Sequence, residues 1–154
     1  MSEDVRKAWV PGSNGQIPEN AFEAGYDGSE IMYIGRAPHA GDVIPGKVHP
    51  SHKVCYICWG NEEHAKDSYE VLCKSDLIQF EWLPSANGEL PAGAIVGGKR
   101  SDGGKYFIGR AKHENCLVPG KIHPENECIY VPWGGKENRY DAYEALAAKV
   151  IDLP

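Results

Sequence analysis

The heptapeptide IPGKVHP at residues 44–50 is written again as VPGKIHP at residues 118–124. A proline followed by a glycine is typical of a turn, but a turn needs neither the lysine nor the histidine that both copies contain. Self-similarity at a fixed distance predicts an internal duplication, which determines the fold. The repeated lysine and histidine indicate either a repeated site or a repeated scaffold.

The duplication extends over most of the chain. Two pairs of segments align, with seven identities in 17 positions and 18 identities in 41 positions: residues 9–25 with 82–98, and residues 32–72 with 106–146. The offset is 73 in the first pair and 74 in the second, so repeat two contains one inserted residue between Gly98 and Tyr106.

Two copies are fewer than the roughly three repeats that a solenoid needs to bury a continuous core. We therefore expect a single domain over residues 1–154, with repeat one at about 9–73 and repeat two at about 82–147.

Short aromatic and β-branched segments that end in polar turns predict strands in both copies. They include IMYIGRA, KYFIGRA, KVCYICWG and ECIYVPWGG. The segment YEALAAKVIDLP at 143–154 has helical propensity, but its partner in repeat one favours a strand. The predicted fold is all-β, with two tandem pseudo-symmetric repeats intertwined in one compact domain.

Charge and hydropathy exclude several classes of protein. The net charge of −6 disfavours a general binder of nucleic acid. No apolar run reaches the ~18 residues that cross a membrane, and the first ten residues carry charges where a signal peptide is apolar. We expect no nucleic-acid partner, no membrane insertion and a cytoplasmic location, with unconventional secretion or vesicle association left open.

The five cysteines are an odd number, which argues against a disulfide framework. Cys55 and Cys58 form a CxxC pair, but repeat two has Ile129 and Pro132 at the equivalent positions. A structural zinc needs four ligands, and a second CxxC is absent from the sequence. We therefore expect both thiols to pack in a strand, with no metal and no cofactor.

Two histidine pairs, His39 with His113 and His49 with His123, suggest catalysis or metal binding. No serine or cysteine nucleophile recurs beside them, and no carboxylate dyad sits at helical spacing. A histidine next to a proline turn is more often bonded to the backbone. The sequence therefore favours a protein that is not an enzyme.

Lys47 and Lys121 are the residues that a turn explains least. On the Pro-Gly bend the ammonium is expected to be free, either as a solvated lysine at a loop tip or as a donor of hydrogen bonds to a ligand. The residues alone leave both interpretations open.

Taken together, these motifs resemble the DM-nine repeat family. The markers are W-x-P with NG at the start of each copy, IGRA, PGK-[VI]-HP, and a WGG-type turn before YE-[VA]-L. The resemblance covers residues 9–147. It implies an all-β, pseudo-symmetric, homodimeric lectin that binds mannose or mannose-containing glycans, in innate immune recognition of microbes.

The resemblance also implies a sugar-binding site. In the lectins of the family an aspartate in AGYD and the lysine of PGK contact mannose, which here correspond to Asp27 and Lys47. In repeat two Lys121 matches, but no aspartate aligns with Asp27. Either Asp102 serves after the insertion, or Lys99 and Arg100 alter the site.

An alternative function keeps the same fold without a sugar. It is an intracellular, non-enzymatic module that binds a protein or a vesicle component, and the absence of a signal peptide favours it. An Asp27–Lys47 pair is the feature that separates the two functions, because a protein-only adaptor does not need it.

Overall fold

A computed structural model describes residues 3–151, which fold into one short helix and fourteen strands of a single sheet. The all-β prediction is confirmed. The helix is α1 (Glu3–Lys7), and the strands of repeat one are β1 (Trp9–Ser13), β2 (Glu23–Asp27), β3 (Glu30–His39), β4 (Asp42–His49), β5 (Val54–Trp59), β6 (Glu62–Lys66) and β7 (Ser68–Leu72).

Repeat two supplies seven strands in the same succession: β8 (Ile78–Ala86), β9 (Val96–Lys99), β10 (Lys105–His113), β11 (Cys116–His123), β12 (Cys128–Trp133), β13 (Lys136–Tyr140) and β14 (Ala142–Val150). A 3-10 turn follows β4 at Pro50–His52 and β11 at Pro124–Asn126. The Ala-rich segment from 142 is a strand despite its helical propensity, because β8 and β10 pair with it on both sides. Residues 152–154 of that segment lie outside the described residues.

The sheet has the order β1-β7-β3-β2-β11-β12-β13-β6-β5-β4-β9-β10-β14-β8. Each strand of repeat one lies as far from one end of this order as its counterpart in repeat two lies from the other end, for example β1 and β8. A twofold axis between the repeats requires this symmetry. The repeats meet where β2 pairs with β11, β4 with β9 and β6 with β13. Strands of each repeat therefore complete the sheet of the other, which confirms the intertwined arrangement. The division at about 9–73 and 82–147 stays a prediction.

The two PGK segments lie inside strands, so the prediction of a turn at this motif is wrong. Pro45 and Gly46 are buried in β4, between Val43, which pairs with β9, and Lys47, which pairs with β5. A Cβ on Gly46 would stand 2.0 Å from the carbonyl oxygen of Tyr56. Glycine is thus required at position 46 by the close approach of β5. Pro45 lies where one edge of β4 changes its pairing partner from β9 to β5.

The hydrophobic core also mixes the two repeats. One cluster joins Ile34 and Leu72 of repeat one to Ile108 and Leu146 of repeat two. Two further clusters each take one large residue from the other repeat. Tyr106 packs among the core residues of repeat one, and Met32 packs among those of repeat two.

The five cysteines, all within residues 3–151, are free and buried. Cys55 and Cys58 are both fully buried in β5, in a strand as expected. Burial raises the pKa of Cys55 to about 12 and that of Cys58 further. Both thiols are therefore protonated and unreactive at neutral pH. Among residues 3–151, no helix has the length and apolar character needed to cross a membrane.

Candidate functional site

Lys47 is buried, not free on a bend as its motif predicts. It is 2% exposed, and its counterpart Lys121 is 3% exposed. A buried ammonium loses its hydration, and this cost must be balanced by charge or aromatic partners. Burial accordingly lowers the pKa of Lys47, although the nearby Glu63 carboxylate opposes the shift.

The partners of Lys47 balance that cost only in part. Glu63 Oε2 lies 3.6 Å from Lys47 Nζ, which is longer than a hydrogen bond. Within residues 3–151 the ammonium makes no hydrogen bond of ordinary length, and its pairing with Glu63 is long. Glu63 Oε2 is itself buried without a hydrogen-bond partner there. The Lys47 ammonium and the Glu63 carboxylate therefore lie side by side, and both can form further hydrogen bonds.

Aromatic rings cover the ammonium from both repeats. Lys47 Nζ lies 4.3 Å from the ring centroid of Trp133, on β12, and 5.2 Å from that of Tyr56, on β5. Both distances fall within the range of cation–π attraction. The site is thus built across the repeat junction, and neither repeat contains all of it.

Asp27 reaches the same place from the end of β2. Its Oδ2 is 2.9 Å from His49 Nε2, and Cys116 Sγ donates to its Oδ1 at 3.5 Å. The hydrogen bond with His49 is the main cause that lowers the pKa of Asp27, against the opposing effect of burial. The carboxylate therefore stays ionised well into the acid range and can accept hydrogen bonds from a ligand.

We call this group of residues site one; it surrounds a cavity of about 280 Å³ lined by Asp27, Lys47, His49, His52, Tyr56, Glu63, Trp133 and Gly134. The structure thus brings Asp27 and Lys47, the pair implied by the family resemblance, to one cavity, and both residues lie on strands. The side chains offer an ionised acceptor, a cationic donor and an aromatic wall in one concave space.

The equivalent residues of repeat two form site two, around Lys121. Its ammonium donates to the carbonyl oxygen of Cys58 and is 2.8 Å from Glu137 Oε2. The rings near it belong to Tyr106 and Tyr130, at 5.0 and 5.6 Å. Unlike Lys47, Lys121 is held by a direct hydrogen bond and by a close ion pair.

Arg100, not Asp102, occupies the position that corresponds to Asp27. Gly98 pairs with Tyr106 as Gly25 pairs with Met32, so the inserted residue lies in the turn that follows Arg100. Asp102 is exposed in that turn, where it accepts from the backbone of Gly104 and from Arg100. The structure therefore does not place Asp102 beside Lys121.

Lys99 lies at the end of β9 with its side chain exposed, and pairs with Val43 of repeat one. Of the two residues proposed to alter the second site, the structure places Arg100 in it. Arg100 Nη1 donates to Glu125 at 3.0 Å.

Glu63 and Trp133 are site residues that sequence reasoning missed. Glu63 recurs as Glu137 at the same offset of 74, which was the available signal. Each of these carboxylates accepts from the hairpin turn of the other repeat: Glu63 Oε1 from Gly135 N, and Glu137 Oε1 from Asn61 N. The pair thus ties each lysine to the opposite hairpin, a contact that only the fold reveals.

The other repeated histidines lie outside this cavity. His39 Nδ1 contacts Lys66 Nζ at 2.9 Å and its ring lies 4.1 Å from that of His64, while His113 contacts the Tyr140 hydroxyl. In the part of the chain from 3 to 151, no group of three or more His, Cys, Asp or Glu side chains is arranged to hold a metal ion.

Larger clefts exist but lack buried charge. One of about 900 Å³ runs beside the start of β8 and is lined by Asn20, Phe22, Lys74, Ser75, Asp76, Ile78 and Phe80. Its charged side chains are exposed and solvated. We assign the site to the smaller cavity, because convergent buried polar groups orient a ligand and open volume does not.

Comparison with known proteins identifies the family. The model of the DM9 repeat matches residues 1–57 and 27–140, which together cover most of the chain. The chain belongs to the DM9 repeat family. This DM9 family is associated with carbohydrate binding.

Relatives of this DM9 protein include natterins of Thalassophryne nattereri. Natterin-4 is 29% identical over 136 residues, which cover 86% of this chain and 32% of natterin-4. Natterin-3 is 34% identical over 84 residues, which cover 54% of this chain and 21% of natterin-3. The DM9 chain therefore matches a third or less of the length of these relatives.

The nematode sperm cell motility protein MFP2B has a similar fold. Its structure superposes with a TM-score of 0.72 over 93% of this DM9 chain and 46% of MFP2B, at 15% identity. At that identity the likeness shows a shared fold alone.

Proposed function

We propose that this DM9 protein binds mannose-type sugars at site one, without catalysis, and recognises microbial glycans as a lectin. The observation that supports the proposal is the buried Lys47 ammonium, which lacks a hydrogen bond of ordinary length and faces a cavity beside the ionised Asp27. A fold that needed only a buried ion pair would satisfy the ammonium, as it does at Lys121.

The chemistry of a neutral sugar suits these groups. Vicinal hydroxyls both donate and accept, so one can donate to Asp27 while its neighbour accepts from Lys47. A hydroxyl that bridges Lys47 and Glu63 would satisfy both the ammonium and the orphaned Glu63 Oε2. The half-buried Trp133 ring offers a flat apolar surface to the C–H face of a sugar.

The size of the cavity limits the ligand. Ligand pockets commonly measure about 300–1,000 Å³, and site one, at about 280 Å³, is just below that range. It suits a single sugar ring better than an extended chain. Charge-assisted hydrogen bonds contribute roughly 1.5–3 kcal/mol each, which is in keeping with millimolar binding, about −4 kcal/mol, at one site.

Useful affinity then requires several sites on one assembly. Joining sites raises the overall affinity by roughly 10²–10⁴ when the geometry permits simultaneous contact. A homodimer, as the family resemblance implies, would double the number of sites. Dimerisation is therefore part of the proposal.

The test is titration of mannose into the wild-type protein and three variants. We expect Asp27→Asn and Lys47→Met each to weaken binding about ten- to hundredfold, because each removes one charge-assisted hydrogen bond. Asp102→Asn is the matched control, since it changes the exposed carboxylate of the corresponding turn in repeat two and should leave affinity unchanged.

Thermal melts of the same proteins separate binding from folding. The Asp27→Asn variant should keep its melting temperature near that of wild type, because asparagine retains an acceptor for His49. Failure of the wild-type protein to bind mannose at tens of millimolar would refute the function. If Asp27→Asn bound as tightly as wild type, the sugar would be bound elsewhere.

A further inference from the structure

Site two retains several parts of site one. Lys121, His123 and Tyr130 occupy the positions of Lys47, His49 and Tyr56. Trp59 corresponds to Trp133, and it is one of the large apolar side chains that the surface leaves exposed, at 40%. Its ring lies 5.3 Å from that of His39, as the Trp133 ring lies 5.7 Å from that of His113. Trp59, on β5 of repeat one, thus keeps the histidine neighbour that its counterpart Trp133 has.

Tyr106 fills the space between these parts. Where Met32 lies in the core next to site one, the Tyr106 ring lies within 5.0 Å of Lys121 Nζ and 5.6 Å of the His123 ring. The side chain is 3% exposed, and its hydroxyl donates to Asp42 Oδ2 at 2.9 Å. A buried ring with a satisfied hydroxyl is fixed in place and does not rotate away at low cost.

Arg100 reverses the charge at the remaining position. It stands where Asp27 stands, 5.7 Å above the Tyr106 ring, and it bonds Asp102 and Glu125. A guanidinium has no acceptor lone pair. Even an open site two would therefore lack the carboxylate that accepts a sugar hydroxyl in site one.

Asp42 completes the change. It corresponds to Cys116, which contacts Asp27 in site one, and it accepts from Ser101 N as well as from Tyr106. The two sites differ at Asp27 against Arg100, Met32 against Tyr106 and Cys116 against Asp42, and also at His52 against Asn126. The first three of these differences change the charge and the space beside Lys121.

We propose that Tyr106 and Arg100 close a second sugar site in repeat two, so that each chain binds one mannose-type ring and not two. This inference rests on the proposed function of site one. It makes Tyr106 the residue that determines how many sugars a chain holds, because it occupies the space, while Arg100 removes the acceptor.

The experiment copies three residues of site one, Asp27, Met32 and Cys116, to the equivalent positions of repeat two. The full-length chain carries Arg100→Asp, Tyr106→Met and Asp42→Cys in a background of Asp27→Asn, which disables site one. Glu125, which loses its arginine partner, is 58% exposed and can remain in water. Mannose binding is measured by calorimetry, together with thermal melts and the stoichiometry of the wild-type protein.

We expect the wild-type chain to bind one mannose. Asp27→Asn should weaken this affinity at least tenfold, and the graft should restore it to within tenfold of the wild-type value. Adding Lys121→Met to the graft should abolish the regained binding. Two equivalent sites on the wild-type chain would overturn the closure of site two, and so would a folded graft that does not bind. If the graft fails to fold, the wild-type stoichiometry alone decides. If the wild-type protein does not bind mannose, the proposed function is refuted, and with it the proposal that site two once suited a mannose-type sugar.

Discussion

Lys47 and Lys121 are the same residue, at equivalent positions of two repeats, at nearly the same depth, yet their surroundings differ. Lys121 donates to the carbonyl oxygen of Cys58 and forms an ion pair with Glu137 at 2.8 Å. Lys47 stands 3.6 Å from its carboxylate and faces a cavity. The comparison shows what the fold requires of this lysine and what it does not. The fold requires a buried ion pair, whereas an unsatisfied ammonium points to a ligand.

The difference arises outside the repeated motif. Both copies carry PGK and both carry the glutamate that pairs with it. Tyr106 lies beside Lys121, and both Arg100 and Asp42 contact Tyr106. The equivalent residues of site one, Met32, Asp27 and Cys116, have different chemistry. A motif can therefore be intact while its neighbours decide whether it binds anything.

The largest effect is expected from separating the two repeats. Cutting the chain between Cys73 and Gln79 and expressing each half alone should yield no folded protein, because β2, β4 and β6 would lose their partners β11, β9 and β13. Circular dichroism and thermal melts of the halves and of the intact chain measure the loss. Two soluble halves that melt cooperatively would show that the repeats are separate domains.

A smaller effect separates the two lysines. Lys121→Met should lower the free energy of unfolding by roughly 3–5 kcal/mol, the usual result when one partner of a buried ion pair is removed. Lys47→Met should cost clearly less, because its ammonium lacks a hydrogen bond of ordinary length and its carboxylate partner already has an unsatisfied oxygen.

Urea unfolding gives the free energy of unfolding of both lysine variants, provided that its dependence on urea concentration has the same slope in each protein. The wild-type protein and the exposed Lys149→Met serve as references. Equal costs at the two lysines would contradict the distinction between a structural and a functional ammonium.

The smallest effect is a dependence of sugar binding on pH. Burial holds the pKa of Lys47 below 10.5, so the ammonium loses its proton before an ordinary lysine does as the pH rises. Mannose affinity should therefore decline on the alkaline side before pH 10.5. The pKa of Asp27 is lowered, chiefly by its hydrogen bond with His49, so the loss of its charge should weaken binding only at a lower pH than for an ordinary aspartate.

The control for the pH series is Lys47→Met, whose weaker binding should not change over the same alkaline range. An alkaline decline shared by that variant would assign the titration to another group.

The sequence was sufficient to predict the all-β fold, because short β-branched segments recur at a constant offset, and even the Ala-rich β14 follows from its counterpart β7. It could not predict the depth of Lys47. The Pro-Gly pair indicated a turn, whereas Gly46 is required by the approach of Tyr56, which lies on a different strand. The local composition of a segment does not show which other strand will pack closely against it.

The candidate site was predictable in part for a similar reason. Asp27 and Lys47 were found through the family resemblance, and the structure brings them together. Trp133 comes from the other repeat, and its position over Lys47 follows from the way β12 crosses the junction. The offset of 73 already set Arg100 opposite Asp27, but only the contacts show that Tyr106 fills the space beside it.

The interlocked strand order has a consequence for how the two sites can diverge. If one repeat formed this architecture as a homodimer, a single coding sequence would encode both sites. Every substitution would then appear in both sites. Joining two copies in one chain removes that constraint, since Asp27 can persist while its counterpart becomes Arg100. The strands that each repeat lends to the other keep the fold shared. One site can thus become rigid and fully paired while the other keeps groups that are available to a ligand.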